Sequence, residues 1–309
     1  MALLFLSTSD DPKAWRAALI KRLPDVDLRV WPETGDASQI DAALVWNHPP
    51  GELLNYPNLR AIMSLGAGVN HILDDPKLPP GVPIARIVDP GLTAGMVEYA
   101  LLAVLRYHRN FDAYESFQRE KHWSPLPIPV TERRRIGVLG LGAIGGACAR
   151  AIAALGFPAA GWSRTRKSLP GIANHAGAQQ LPAFLGQTDI LLCVLPLTAA
   201  TRGLLNRDTL AALPRGAYVI NIARGAHIVE ADLIAALDSG QIAGATLDVF
   251  QQEPLPADHP FWTHPKITVT PHVASVTNPE TAADGVVENL HRLRAGRTLL
   301  HLVNRSAGY

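Results

Sequence analysis

The sequence predicts an α/β protein carrying two parallel sheets in two domains. Three observations point there. Short apolar runs alternate with helix-patterned segments along the chain. The strands of the second half are apolar almost throughout, which suits a sheet covered on both faces. A G-x-G-x-x-G turn sits between one of those strands and a small-residue helix.

In the N-terminal third, LLFL (3–6), LRVW (28–31), AALVW (42–46), RAIMSL (60–65) and PIARIV (83–88) read as strands. Trp15–Leu23 and similar stretches between them have helical spacing. A long helix is expected from Met96, in MVEYALLAVLRYHRNFDAY, with Val97, Ala100, Leu101, Val104 and Leu105 as its stripe. Leu102 and Ala103 widen that stripe, so the helix is read as buried on two sides, against its own domain and either a second subunit or the other domain. WSPLPIPV (123–130) is broken by proline and reads as a connection. From Arg135 a second series begins, with strands in IGVLGLG, PAAGW, DILLCVLP, AYVINIARG, AGATLDVF and ITVTPH. A helix, NPETAADGVVENLHRLRAG, and a short tail follow His272.

Composition narrows the function. A chain of 309 residues has room for two domains and ample core. With 48% hydrophobic and 18% charged residues it is globular. A net charge of +1 gives no reason to expect nucleic acid or an anionic membrane surface as partner. Cys148 and Cys193, both in apolar segments, form neither a disulfide framework nor a metal-ligand cluster, which suits a reducing cytoplasm. The opening MALLFLSTSDD lacks the basic start of a leader peptide, and no apolar run is long enough to span a bilayer.

The glycine turn has a specific physical reading. Gly140 permits a tight turn, Gly142 leaves room for a pyrophosphate, and Gly145 lets helix and strand pack closely. With Ala143 and Ile144 these residues open a helix whose N–H groups and dipole favour phosphate. At the tip of the next strand, after Trp162, an acid would grip the ribose of NAD. Ser163, Arg164, Thr165, Arg166 and Lys167 stand there instead. Hydroxyls and cations suit a 2′-phosphate, so NADPH is expected over NADH; the rival reading is a solvated basic loop. One charge-assisted contact of roughly 1.5–3 kcal/mol gives about 10- to 150-fold discrimination.

Further on, NIARG places Arg224, LDVFQQEPL places Glu253, and TPHVAS places His272 at or just beyond strand ends. The carboxyl ends of parallel strands line one edge, where ligands bind. Each residue alone also fits a bland structural role; in this order beside a dinucleotide turn they become a recognisable set.

Here the chain resembles the D-isomer-specific 2-hydroxyacid dehydrogenase family. The resemblance runs through GLGAIG, LPLTAATRGLLN, NIARGAHIVEADLIAALDSGQIAGATLDVFQQEPLP and TPHVA. Within the family, WSRTRKS, KHWSPLP, ALVWNHP and LGAGVN most resemble the glyoxylate/hydroxypyruvate reductase A subgroup. The resemblance implies two Rossmann-like domains, a flavodoxin-like substrate domain (1–95 plus 276–309) and a dinucleotide-binding domain (96–275), with the active site in a cleft between them. It also implies a homodimer, for which the helix near 96–110 is the candidate interface.

It implies, too, a reaction. Arg224 would bind the carboxylate and ketone oxygen of a small 2-oxo acid. His272 would deliver a proton as general acid, and Glu253 would hold the imidazole and favour its charged form. Asp248 would orient the nicotinamide amide, with Leu195, Pro196 and Ala223 along its ring. The N–H groups of Ala67, Gly68 and Val69 would bind the substrate carboxylate, unless LGAGVN is only a strand-to-helix turn. The family often has an acid where this chain has Asn70. Trp46 is read either as the wall of a small pocket or as a core aromatic. The resulting expectation is NADPH-dependent reduction of glyoxylate and hydroxypyruvate to D products. The alternatives are a broader 2-oxo acid reductase accepting phenylpyruvate, and a dinucleotide-sensing binding protein.

Overall fold

The computed structural model describes residues 2–309. In chain order the first elements are β1 (Ala2–Ser7), α1 (Pro12–Ile20), β2 (Asp27–Val30), β3 (Ile40–Trp46), β4 (Ala61–Ser64), α2 (Asn70–Leu73) and β5 (Ile84–Ala85). Then come α3 (Pro90–His108), α4 (Phe111–Glu120), β6 (Ile136–Leu139), α5 (Ala143–Ala154), β7 (Ala159–Ser163), β8 (Ala173–Ala176), α6 (Leu181–Leu185) and β9 (Ile190–Cys193). The series closes with α7 (Arg207–Ala211), β10 (Ala217–Asn221), α8 (Glu230–Asp238), β11 (Ile242–Leu247), β12 (Ile267–Val269) and α9 (Pro279–Arg294).

These elements form two compact units. One holds the described residues up to Leu92 together with Val276–Tyr309; the other is Thr93–Ser275. The first contains a parallel five-stranded sheet in the order β2-β1-β3-β4-β5. The strand period of two sorts its side chains. Leu3 and Phe5 pack with Trp15 of α1 and with Ala283, Val286 and Leu290 of α9. Leu4 and Leu6 pack on the other face with Leu53 and Ile72. The predicted strand at 83–88 shrinks to Ile84–Ala85, because beyond it the chain pairs with the C-terminal tail: Arg86 N–H donates to His301 O at 3.1 Å.

The second unit holds a parallel seven-stranded sheet in the order β12-β11-β10-β9-β6-β7-β8. Strand order reverses between β6 and β9, so the carboxyl ends of these strands mark the switch point where an open parallel sheet binds its ligand. Helices cover both faces. Ala100, Val104 and Tyr107 of α3 and Cys148 and Ile152 of α5 pack with Val138, Leu192 and Ile220. Phe184, Leu233 and Leu237 pack with Leu139, Leu191 and Val219 on the other face.

The long helix differs from its sequence reading in three ways: its start, its end and its buried stripe. It begins at Pro90, because Asp89 accepts the Leu92 N–H at 2.7 Å and Pro90 suits a first helical turn. It ends at His108, because Asn110 takes a left-handed backbone (φ 56°) and starts a separate helix. Its buried stripe is Met96, Ala100, Ala103, Val104 and Tyr107, whereas Leu102 is 67% and Leu105 38% exposed. Among the described residues no helix is long and apolar enough to cross a membrane. Cys148 and Cys193 are free and buried, and burial pushes both thiols up to about 12.

Candidate active site

The glycine turn follows β6 directly. Gly140 has φ +101°, a left-handed conformation, and donates its N–H to Trp162 O at 2.8 Å. A Cβ on Gly145 would lie 1.8 Å from Gly140 O, so the helix packs on the turn only because position 145 is bare. Gly142 is different: a Cβ there would meet nothing within 4 Å. Packing makes no demand for glycine at that position, while an incoming ligand would. Gly142 caps α5 without a side-chain hydrogen bond, and the first bond of the helix runs from Gly146 N–H to Gly142 O at 2.9 Å. The N–H groups of Ala143, Ile144 and Gly145 therefore face outward from the first turn with no intrahelical acceptor. This is an anion cradle that fits a dinucleotide pyrophosphate.

The end of β7 stands beside this turn. Arg164, Thr165, Arg166 and Lys167 are exposed, while Ser163 is buried. The Ser163 hydroxyl donates to Thr165 O at 2.8 Å and so closes the loop on itself. Lys167 N–H donates to Asn174 Oδ1 at 2.8 Å, which ties the loop to β8. Ser163 thus shapes the loop, and the outward-facing polar groups are those of Arg164, Thr165, Arg166 and Lys167. These cations and the Thr165 hydroxyl fit a phosphate.

Arg224 lies three residues beyond the end of β10. Its carbonyl is fixed by Asn221 Nδ2 at 3.0 Å, and its Nη1 donates to Ala223 O at 2.6 Å. Burial lowers its pKa, and the Glu253 charge opposes this. Gly225 explains how Arg224 comes near that acid: a Cβ on Gly225 would fall 1.9 Å from the Phe250 carbonyl carbon. The two backbones touch, and Phe250 N–H in turn donates to Glu253 Oε1 at 2.9 Å.

The other Glu253 oxygen, Oε2, lies 2.7 Å from His272 Nδ1. Burial alone would raise the Glu253 pKa, but the hydrogen bonds from His272 and Phe250 and the charges of His272 and Arg224 hold it below the usual carboxylate range. Nε2 of His272 makes no hydrogen bond within the described residues, and the side chain is about a third exposed. One nitrogen is thus anchored on a carboxylate while the other is left without a hydrogen bond among the described residues. His272 itself takes a left-handed backbone (φ 56°), an uncommon conformation for a non-glycine residue.

Asp248 supports that conformation. Buried after β11, its Oδ1 accepts from the Thr270 hydroxyl at 2.6 Å and from Val273 N–H at 2.8 Å, and its Oδ2 accepts from Ala274 N–H at 2.9 Å. Its carbonyl takes the His272 N–H at 2.8 Å. Tyr99 of α3 extends the chain, with its hydroxyl 2.6 Å from Thr270 Oγ1. The sequence reading missed Tyr99 and Thr270 as holders of this turn. Asp248, read from the sequence as orienting the cofactor amide, has three of its acceptor positions engaged in clamping the His272 turn and one Oδ2 lone pair left. Leu195 and Ala223, both buried, and the half-buried Pro196 lie beyond the ends of β9 and β10 on the same sheet edge.

In the first unit, Trp46 ends β3 and the LGAGVN turn follows β4. Trp46 packs against the sheet core and also over the turn: a Cβ on Gly66 would lie 2.5 Å from its ring. The indole sits 4.3 Å from the His71 ring. Trp46 is thus a core aromatic whose ring also covers the turn. Gly66 N–H is taken by Ser64 Oγ at 3.2 Å, and Ser64 Oγ donates to Gly68 O at 3.0 Å. The N–H groups of Ala67, Gly68 and Val69 donate to no acceptor within the described residues. Val69 precedes a helix of a single turn, and Asn70 is its first residue.

A dinucleotide turn, a switch-point edge and an acid–base pair beside an arginine define an NAD(P)-dependent dehydrogenase. The model of the D-isomer specific 2-hydroxyacid dehydrogenase NAD binding domain matches residues 101–274, and the chain belongs to that family. Proteins called glyoxylate/hydroxypyruvate reductase A from Yersinia enterocolitica serotype O:8 / biotype 1B and from Serratia proteamaculans are each 44% identical to it over 314 residues, covering the whole of both chains. A D-isomer specific 2-hydroxyacid dehydrogenase from Xanthobacter autotrophicus Py2, solved with NADPH and MES, superposes with a TM-score of 0.96 at 43% identity, covering 100% of this chain and 99% of that one. An NADPH-dependent glyoxylate/hydroxypyruvate reductase from Sinorhizobium meliloti, solved with NADP and sulfate, gives a TM-score of 0.93 at 36% identity over the whole of both chains.

Proposed function

We propose that this chain reduces small 2-oxo acids with NADPH, taking glyoxylate to glycolate and hydroxypyruvate to D-glycerate. The observation that carries the reading is the His272–Glu253 pair at 2.7 Å, which leaves Nε2 available beside an arginine on a dinucleotide-binding sheet. The names of the Yersinia and Serratia relatives and the ligands of the Xanthobacter and Sinorhizobium structures support it.

The residues present divide the work. Gly140, Gly142, Ala143, Ile144 and Gly145 receive the pyrophosphate. Arg164, Thr165 and Lys167 receive the 2′-phosphate over the loop that Ser163 closes, which favours NADPH over NADH. Leu195, Pro196 and Ala223 line the nicotinamide ring, and Asp248 offers its remaining Oδ2 lone pair to the amide. When bound, the reduced nicotinamide supplies the hydride that C2 of the substrate accepts. Arg224 grips the carboxylate and the ketone oxygen and polarises the C=O bond. The N–H groups of Ala67, Gly68 and Val69 bind the carboxylate, and Trp46 excludes bulky side chains. As charge grows on the former ketone oxygen, His272 passes it the Nε2 proton, and Glu253 balances the imidazolium until then. Solvent restores that proton.

The exposed apolar side chains Leu102 and Leu105 support a homodimer through α3. Buried free thiols at Cys148 and Cys193 support a cytoplasmic setting. A steady-state panel of 2-oxo acids, from glyoxylate to phenylpyruvate, with NADPH and NADH tests the reading. Loss of NADPH absorbance with the smallest substrates is expected. No turnover across the panel refutes a reductase, and faster turnover of phenylpyruvate makes the pocket a broad one.

A further inference from the structure

His227 lies three residues beyond Arg224 and is fully buried. Its ring meets two backbone carbonyls. Nδ1 is 2.9 Å from Arg224 O, and Nε2 is 3.3 Å from Pro196 O. Those oxygens belong to two strand-end segments on neighbouring strands, one after β9 and one after β10. We propose that His227 is a positioning residue whose ring spans the carbonyls of Pro196 and Arg224 and sets the spacing of the two segments. This rests on the reading above, in which Pro196 serves the nicotinamide side and Arg224 the substrate side.

The surroundings suit a strut. Farther from the site, the same segments are stitched by backbone bonds: Gly203 N–H to Ala226 O at 2.8 Å, Leu205 N–H to His227 O at 2.9 Å and Val229 N–H to Leu205 O at 2.9 Å. That stitching holds the distal parts together. Nearer the site, each carbonyl has a local holder of its own: Thr201 Oγ1 donates to Pro196 O at 2.8 Å, and Asn221 Nδ2 donates to Arg224 O at 3.0 Å. Each of these bonds stays within one segment, whereas the imidazole ties one segment to the other. Removing it leaves both carbonyls bonded and the fold supported, but frees the spacing between them. A neutral imidazole has one N–H. The contact that crosses between segments is Nε2 to Pro196 O, so the strut places the proton on Nε2; Nδ1 lies against Arg224 O, which Asn221 Nδ2 and the His227 N–H already hold. Burial holds the ring toward this neutral form; its contacts with the Arg224 and Pro196 carbonyls oppose that, and the charges of Arg224 and Arg202 reinforce it. Arg224 must meet a carboxylate and a ketone oxygen at once, so a small displacement of its backbone is costly.

The test compares H227L, which keeps bulk without donors, with H227Q, which keeps a donor. In H227L, KM for glyoxylate and the Kd for oxamate on the NADPH-bound enzyme should rise about tenfold, with NADPH Kd unchanged within about twofold; H227Q should recover most of the loss. Oxamate binding and KM at parental values in H227L overturn the proposal. So does an equal loss in both variants, or a parallel loss of NADPH binding, which marks a general structural defect. If H227L does not fold, H227N takes its place, since its shorter amide reaches one carbonyl and not both; parental oxamate binding in H227N again overturns the strut. A readout independent of substrate separates this proposal from the reductase reading. Backbone amide exchange in 196–206 and 223–229 should quicken about tenfold in the leucine variant, and unchanged exchange refutes the strut whatever the parent turns over.

Discussion

Gly225 and Phe250 meet backbone to backbone, so closely that a methyl group on Gly225 would overlap the Phe250 carbonyl carbon at 1.9 Å. That contact seats Arg224 beside the loop carrying Glu253. Gly225→Ala must therefore push two active-site segments apart. We expect a loss of roughly 1–3 kcal/mol in stability, with activity falling further than the folded fraction. Thermal melts paired with active-site titration check it; a variant with parental melting and turnover would show that the contact yields easily.

On the proposed mechanism, His272→Ala removes the proton donor and leaves the nucleotide site intact. Turnover should fall about 10²- to 10⁴-fold while NADPH Kd holds. Stopped-flow single turnovers separate this from slow product release. If hydride transfer keeps its parental rate, another group supplies the proton.

Glu253→Gln keeps the shape of the pair and withdraws its charge. The variant should lose turnover with NADPH Kd unchanged, because a neutral amide anchors Nδ1 of His272 less firmly than the carboxylate 2.7 Å away. A stability effect follows separately. The Glu253 pKa is lowered in the folded chain, so its contribution is present above the ordinary carboxylate range and fades as pH falls through and below that range, near pH 4 and under. The melting temperature of the Gln variant should therefore change less across acidic pH. Parental turnover together with superimposable acid melting profiles would remove Glu253 from both roles.

Arg224→Lys keeps a cation and loses the planar fork. A loss of about 10²-fold in kcat/KM is expected, shared between a higher KM and a lower kcat. Should KM alone rise, Arg224 holds the substrate without acting on the ketone oxygen.

Arg164→Asp places an acid where the chain has an exposed cation. The ratio of kcat/KM for NADPH over NADH should fall about 10- to 150-fold. An unchanged ratio would return the 164–167 loop to a solvated surface.

The parallel sheets were legible because apolar strands and glycine turns leave a strong local mark. β8 was not: ANHA has no apolar run, and its four residues are intermediate or exposed. The start of α3 was signalled by Asp89–Pro90 but masked by Gly91 and Gly95 inside the first turns. Arg224, Glu253 and His272 could be picked out from their places after strands. The part played by Asp248 could not, since it depends on partners up to twenty-six residues away. Nor could the inward turn of the Ser163 hydroxyl, which in sequence looks like one more donor to a phosphate. His227 carried no signal at all, because two carbonyls that call for a bridging ring become neighbours only once β9 and β10 pair.

The chain Tyr99–Thr270–Asp248 has one consequence for the acid–base pair. Helix α3 is linked to the turn that carries His272 through two hydroxyls and a carboxylate, with both hydroxyl contacts at 2.6 Å. The geometry of the His272–Glu253 pair is thus a property of the layer from helix to sheet edge and not of its own loop alone.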